Sequence, residues 1–395
     1  MPEEDPWYFD ITAKGIVKGE GYHVRNLLAY QPPLFTYFIA ANYRIFGFCV
    51  DCVRITQAFI GSLVCLLLFF IAREVGTLET GLLSALLASV FPQLIRYSVE
   101  LYSENLFIFI VLSAILAFVI SEKKSSVSLK ISTGILLGLA SLTREVGLFI
   151  LLGILVWYCL FYKNVWVSIK KWSIIALFTL LTILPWSIRN YSMFKAIVPL
   201  STNGGINFYI GNNENANGEF KWAIPPGAKW NEKSPRGRLE LQASWLGYKE
   251  GLKFIMKEPL DFLKLTAKRL FLLWRPPYHN INLQGSLLEL IFRLSWLIMY
   301  SFLFLFSLIL SPRYLREEFR SWSLFLIMIL FLSLPYFVTF VGSRYQIPLV
   351  PFMSILASAA VCRKLLSSRL RGSTKADQVV KFKGDMAGVT RKKCE

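Results

Sequence analysis

The stretch EEDPWYFDITAKGIVKGEGY places Asp5 at the head of an amphipathic segment suited to lie on a membrane surface. A carboxylate at such a water–lipid boundary is partly desolvated, which raises its basicity and suits it to general-base work. The same residues also fit a plain solvated acidic terminus. Glu104 lies in RYSVELYSENLF, where an apolar run begins, with Glu100 and Arg96 each one helical turn earlier. An ionisable group near membrane depth points to function. The alternative is a local Arg96–Glu100 helix pair with Glu104 capping the next helix. Arg144 and Glu145 interrupt GILLGLASLTREVGLFILLGILVWY, and Arg344 and Tyr345 interrupt VGSRYQIPLVP. Guanidinium groups in apolar surroundings need an anion, and they grip phosphate bidentately. Glu104, Glu145 or a lipid phosphate would serve Arg144, and Tyr345 can donate to an anionic oxygen. Arginines snorkelling through an aromatic belt would leave the same trace. His23 and Arg25 precede QPPLF, whose proline pair stops one helix and can open another. His23 could carry a proton or touch phosphate, or be an isolated exposed histidine.

The elements that must position these residues are membrane helices. The chain is 55% hydrophobic and only 17% charged, against about 25% charged in soluble chains, so a soluble domain could not hide its apolar surface. Runs long enough to span lie near 53–72, 79–98, 105–121, 131–143, 146–162, 172–189, 286–311, 321–341 and 346–362. A break near Arg144 separates the fourth from the fifth. A further helix near 33–48 carries Asn42 and Arg44, which suit an interfacial position rather than hydrocarbon.

The net charge of +18 sits largely in SEKKSSVSLK, YKNVWVSIKK, SPRYLREEFR and the tail after Arg363. These segments share one side, which the positive-inside rule makes the cytoplasm. The charge therefore reads as membrane topology and not as a nucleic-acid surface. The chain divides into an extracytoplasmic first loop (1–52), a transmembrane module (53–189), a long extracytoplasmic loop domain (190–285), C-terminal transmembrane helices (286–362) and a basic cytoplasmic tail (363–395). Two histidines and six scattered cysteines leave little material for a zinc site or a disulfide framework, so neither a metal nor another cofactor is expected. Cys49 and Cys52 read as ordinary apolar residues. Asn190-Tyr191-Ser192 fits a glycosylation sequon at a helix end.

Several segments together resemble one family. Asp5 three residues before Tyr8, then AKGIVKGEGY, QPPLFTYF and IFG, are similar to the first outer loop of GT-C glycosyltransferases. The similarity is to the family 39-like group related to protein O-mannosyltransferases and the lipid A aminoarabinose transferase. SVELYSENL resembles that group's second acidic site, GLASLTR its next outer-face arginine motif, WSIRNYSMF with VPLSTNGGINFYIGNN its large-loop entry, and RYQIPLVP its C-terminal motif. Their order covers nearly the whole chain. The resemblance implies an all-α, GT-C-like helix bundle in the cell membrane. It implies a sugar donor on a polyprenyl phosphate and a lipid, glycan or protein acceptor on the extracytoplasmic face. It assigns catalysis to Asp5 and Glu104, and substrate binding to Tyr8, His23, Arg25, Arg144, Arg344 and Tyr345. In such a scheme Asp5 deprotonates the acceptor hydroxyl, Glu104 orients the acceptor or assists the base, and the arginines hold the departing phosphate, with inversion. Some relatives carry an Asp-Glu pair where this chain has Asp5, and relatives have a first span ahead of this loop, which is expected upstream of Met1. A lipid or solute transporter and an inactive truncated homologue are the competing expectations.

Overall fold

The apolar runs form helices throughout the computed structural model, which describes residues 5–23, 27–228, 237–276, 286–309 and 319–363. Among the described residues no strand is present, only isolated bridging, as between Glu219 and Val341, so the expected all-helical architecture is the one found. The first loop is a helical hairpin, α1 (Asp5–Val17) and α2 (Leu34–Phe46). It is closed by Phe9 set edge-to-face on Phe35 at 4.9 Å and by the Tyr43 hydroxyl donating to Asp10. At 1.5 Å per residue the 13 residues of α2 reach about 20 Å, short of the hydrocarbon layer.

The bundle proper is α3 (Val50–Val75), α4 (Leu78–Ser89), α5 (Pro92–Tyr97), α6 (Glu104–Lys124), α7 (Val127–Thr143), α8 (Gly147–Phe161) and α9 (Val165–Phe194). It is completed by α13 (Leu287–Leu308), α14 (Phe319–Val338) and α15 (Ser343–Arg363). Six of these helices are long and apolar enough to cross a membrane, and α4, α7 and α8 are shorter apolar helices. Side-chain caps set the reversals at one end: Thr77 accepts from Thr80 N, Ser126 from Leu129 N and Asn164 from Trp166 N. The run expected over 79–98 is broken. Pro92 pushes Phe91 into an extended conformation, ending α4 and starting α5 afresh. The break expected near Arg144 is present, with Arg144 extended (φ −150°, ψ 131°) after α7.

Burial ranks the helices. In α6 and α15, 72% and 94% of the most apolar window is enclosed, whereas α3, α9 and α13 enclose less than a third. The former are the centre, packed through Phe107, Ile115 and Phe352; the latter present leucine and phenylalanine outward, as a lipid-facing surface does. Close approach of α7 and α9 rests on Gly134 and Gly138. A Cβ at either would lie 2.5 Å from Ile175 O or Thr182 Cβ, the small-xxx-small device of membrane helices.

Between α9 and α13 the chain forms α10 (Gly204–Gly211), α11 (Arg238–Lys257) and α12 (Pro259–Trp274). Gly205 and Gly247 let α10 and α11 cross backbone to backbone, since a Cβ on Gly205 would overlap Ser244 O. Fully buried Arg269 of α12 donates to Phe337 O at the end of α14 and to Gly211 O at the end of α10, so one cation serves two helix C-termini.

One sequence expectation is corrected, and one motif is accounted for. Cys49 and Cys52 are not ordinary apolar residues: they form a disulfide. Cys49 is the N-cap of α3 and accepts from Cys52 N at 3.1 Å, which folds the two sulfurs into one turn. The sequon asparagine is not a surface acceptor. Asn190 is fully buried and its amide donates to Val198 O at 2.9 Å. Of the expected basic segment 311–320 and tail 363–395, residues 311–318 and 364–395 lie outside the described residues.

Candidate active site

Four charged residues from four elements meet at the end of the bundle opposite the capped reversals. Each sits at a helix end, where the chain leaves regular hydrogen bonding and a side chain can turn across the bundle mouth. Asp5 opens α1, Glu104 opens α6, Arg144 lies in the α7–α8 break, and Arg344 lies in the 3₁₀ turn that opens α15. Arg144 Nη1 donates to Glu104 Oε1 at 2.6 Å and to Ser103 Oγ at 3.2 Å. Arg344 Nε lies 4.0 Å from the same Glu104 oxygen, and its Nη1 pairs with Asp5 Oδ2. Asp5 Oδ1 accepts from Gln31 Nε2 at 2.8 Å. The result is one alternating chain, Asp5–Arg344–Glu104–Arg144, with two negative and two positive charges.

Burial differs along it. The Glu104 side chain is 0% exposed and that of Arg144 16%, whereas those of Asp5 and Arg344 are 30% and 31% exposed. The open end therefore belongs to Asp5 and Arg344, and the closed end is a structural anchor. Glu104 Oε2 is buried without a hydrogen-bond partner, a remaining acceptor inside the cluster. Aromatic faces floor the site: the Tyr345 ring lies 5.4 Å from the Arg344 guanidinium and 6.0 Å from that of Arg144. Tyr336 stacks on Tyr345 at 4.5 Å, and Tyr102 lies 5.6 Å from Arg344. Such faces hold a guanidinium plane while leaving its edge free.

Of the residues singled out in the sequence, the structure brings together Asp5, Glu104, Arg144, Arg344 and Tyr345. Tyr8, one turn after Asp5, is buried against Tyr30 with ring centroids 6.0 Å apart. His23 joins none of the hydrogen bonds or ion pairs of this cluster among the described residues; its Nδ1 is buried without a partner. Arg25 lies outside the described residues. Both readings of the 96–104 region hold in part: Arg96 and Glu100 do form a local pair at 2.7 Å, and Glu104 is free of it and turned to Arg144. Glu145 does not serve Arg144; its carboxylate accepts from Ser201 Oγ.

Sequence reasoning missed Gln31, Ser103, Tyr336 and a second buried carboxylate, Glu240. Gln31 had a signal, since it opens the singled-out QPPLF. Glu240 had none, because an acidic residue in the first turn of a polar helix is ordinary. Its side chain is fully buried and accepts from Leu28 N at 2.7 Å, Ala29 N at 3.3 Å and Thr202 Oγ1 at 3.0 Å. Burial pushes its carboxyl up to about 7, with those hydrogen bonds opposing the shift. Nearby, Arg189 donates to Leu28 O at 2.7 Å and Tyr22 O at 2.8 Å, with its guanidinium 4.6 Å from the Trp186 ring. Glu240 and Arg189 thus tie Tyr22, Leu28 and Ala29 to α11 and α9, beside the Gln31 that donates to Asp5.

Residues 30–188 match the model of the family described as dolichyl-phosphate-mannose-protein mannosyltransferase. No curated protein matches the chain by sequence. Among solved structures, ArnT from Cupriavidus metallidurans in the apo state superposes with a TM-score of 0.54 at 14% identity, covering 94% of this chain and 57% of that one. The archaeal oligosaccharyltransferase AglB from Archaeoglobus fulgidus, in complex with an inhibitory peptide and a dolichol-phosphate, gives 0.52 at 15% identity, with 94% and 48% covered. The Archaeoglobus fulgidus oligosaccharyltransferase tethered to an acceptor peptide gives 0.56 at 15% identity, with 93% and 46% covered. The chain spans about half the length of the solved proteins it matches.

Proposed function

We propose, from the GT-C glycosyltransferase fold that this chain has, that it moves a sugar from a polyprenyl-phosphate donor to an acceptor hydroxyl at the extracytoplasmic face of the cell membrane. The observation that carries this reading is the convergence of Asp5, Glu104, Arg144 and Arg344 in one network at one end of the bundle. Transfer from a lipid phosphate needs a base beside the anomeric carbon and cationic stabilisation of the departing phosphate, and this network contains both. The match of residues 30–188 to a family whose name specifies a lipid-phosphate sugar donor supports the donor class, as does the dolichol-phosphate held by a protein of the same fold.

In this reading the donor phosphate approaches the open end and takes Arg344. Asp5 Oδ2, until then the partner of that guanidinium, is released as a base only when the donor is in place. The acceptor hydroxyl, approaching from the open end, attacks the anomeric carbon. Its oxygen bonds to that carbon, the carbon–phosphate oxygen bond breaks, and the proton passes to Asp5. The polyprenyl phosphate leaves with its charge on Arg344, and Arg144 holds Glu104 in place. One in-line displacement inverts the anomeric centre. Tyr345 and Tyr336 keep the guanidinium plane edge-on to the incoming phosphate.

The test is incubation of the full chain, in membranes containing its native acceptors, with a panel of polyprenyl-phosphate hexoses and pentoses. Liberation of polyprenyl phosphate with appearance of the sugar on an acceptor is expected. A donor that crosses proteoliposome bilayers chemically unchanged would make the protein a transporter instead.

A further inference from the structure

The other end of α6 carries a second buried charge cluster, which the proposed transfer does not use. At 1.5 Å per residue, the stretch from Glu104 to Glu122 measures about 27 Å, nearly the hydrocarbon thickness of about 30 Å. The two clusters therefore lie at opposite membrane boundaries. The Glu122 side chain is 8% exposed. Its Oε1 accepts from the Tyr158 hydroxyl at 2.9 Å and lies 3.2 Å from Lys130 Nζ. Its Oε2 accepts from the Tyr162 hydroxyl at 2.8 Å and lies 3.6 Å from Lys171 Nζ and 3.9 Å from Arg320 Nη2.

Three cations from α7, α9 and α14 thus share one carboxylate among the described residues; both tyrosine hydroxyls donate to it, and that of Tyr162 also accepts from Arg320 Nη2 at 3.3 Å. Glu74, at the same end of the bundle, is taken by Lys123. Cations at helix ends ordinarily snorkel outward into water. Lys130 is instead drawn inward at 4% exposed, while Lys171 lies 4.7 Å from the Tyr162 ring and Arg320 5.4 Å from the Trp157 ring. Among the described residues this leaves two surplus positive charges in a partly apolar setting, which suits a counter-anion. The open edge of the cluster is formed by Lys171 and Arg320, whose side chains are 26% and 53% exposed. Trp166, strongly exposed at the start of α9, marks this level as the membrane interface, where tryptophan concentrates. The anion abundant at that depth is a phospholipid phosphate, and basic pockets between membrane helices take such headgroups.

We propose that Lys130, Lys171 and Arg320 form a binding site for the phosphate of an anionic phospholipid. Glu122, Tyr158 and Tyr162 hold the cations in place, and the acyl chains lie along the outer surfaces of α8 and α9. The site is independent of the sugar-transfer reading.

The full chain is reconstituted in nanodiscs of phosphatidylcholine with or without phosphatidylglycerol, and bound lipid is counted by native mass spectrometry after extraction. The wild type should retain phosphatidylglycerol in preference to phosphatidylcholine. The K171Q/R320Q double variant, altered only at the exposed edge, should lose that retention about tenfold or more, at roughly 1 kcal/mol per interfacial cation, with unchanged thermal unfolding. Equal retention by both proteins would show the cations to be satisfied within the protein and overturns the site. In a second arm, lipid-free protein is treated with an amine-labelling reagent. Protection of Lys171 by phosphatidylglycerol micelles but not by inorganic phosphate is expected. Equal protection by inorganic phosphate overturns the lipid assignment in favour of a free anion.

Discussion

Replacing Asp5 by asparagine separates chemistry from folding at the candidate active site. The Asp5 and Arg344 side chains are 30% and 31% exposed, and a pair so open to solvent contributes roughly 0–1 kcal/mol. The substituted amide would keep an oxygen for Gln31, so the mouth of the bundle should hold its shape. Glu104 makes a poorer probe. Its pair with Arg144 is 0% and 16% exposed, and removing one member of a buried pair costs about 3–5 kcal/mol, enough to confuse unfolding with lost activity. If Asp5 takes the acceptor proton, its loss should slow turnover by about 10²–10⁴. That equals about 3–5 kcal/mol of barrier at 1.36 kcal/mol per tenfold, several times the structural cost. The assay is release of polyprenyl phosphate from its sugar conjugate, followed by mass spectrometry, with melting temperature measured in parallel. D5N should melt with the wild type, turn over at least a hundredfold more slowly, and bind the donor no more weakly, because Arg344 is no longer engaged by a carboxylate. Turnover indistinguishable from wild type in a folded D5N protein refutes Asp5 as the base.

Glu240 should give stability a pH dependence. Its carboxyl is raised from 4.5 to about 7 in the folded state, so the folded protein holds a proton that the unfolded chain releases between those values. Stability should therefore fall as pH rises through that window, by roughly 3 kcal/mol in all; E240Q should flatten the profile of melting temperature against pH between 5 and 8. A methyl group at Gly138 would stand 2.5 Å from Thr182 Cβ, so G138A should cost about 1–3 kcal/mol by overpacking α7 against α9, read as a lowered melting temperature. Cys49 and Cys52 should resist iodoacetamide until the protein is reduced, whereas Cys159, exposed and unpaired, should react at once. Changing Ser192 to Ala, which removes the sequon, should leave glycan mass unchanged, since Asn190 is buried and already bonded to Val198 O.

Helix content and the positions of most apolar segments were legible in the sequence because each is a local property. Hydropathy over about 20 residues decides whether a helix can span. The interruption at Arg144 was legible for the same reason. The partner of each charge was not. Arg144 had Glu145 beside it in sequence and took Glu104 instead. Asp5 found Arg344 at a separation of 339 residues. Glu240, in a polar helix with no distinguishing pattern, became the buried staple of the first loop. Cys49 and Cys52 became a disulfide through the cap geometry of a single turn. Composition and periodicity say which face of a helix is apolar, but not which other helix covers it. In lipid, where every apolar face is equally content, that choice falls to close packing at small residues such as Gly134 and Gly138, and to the buried charges that must find one another.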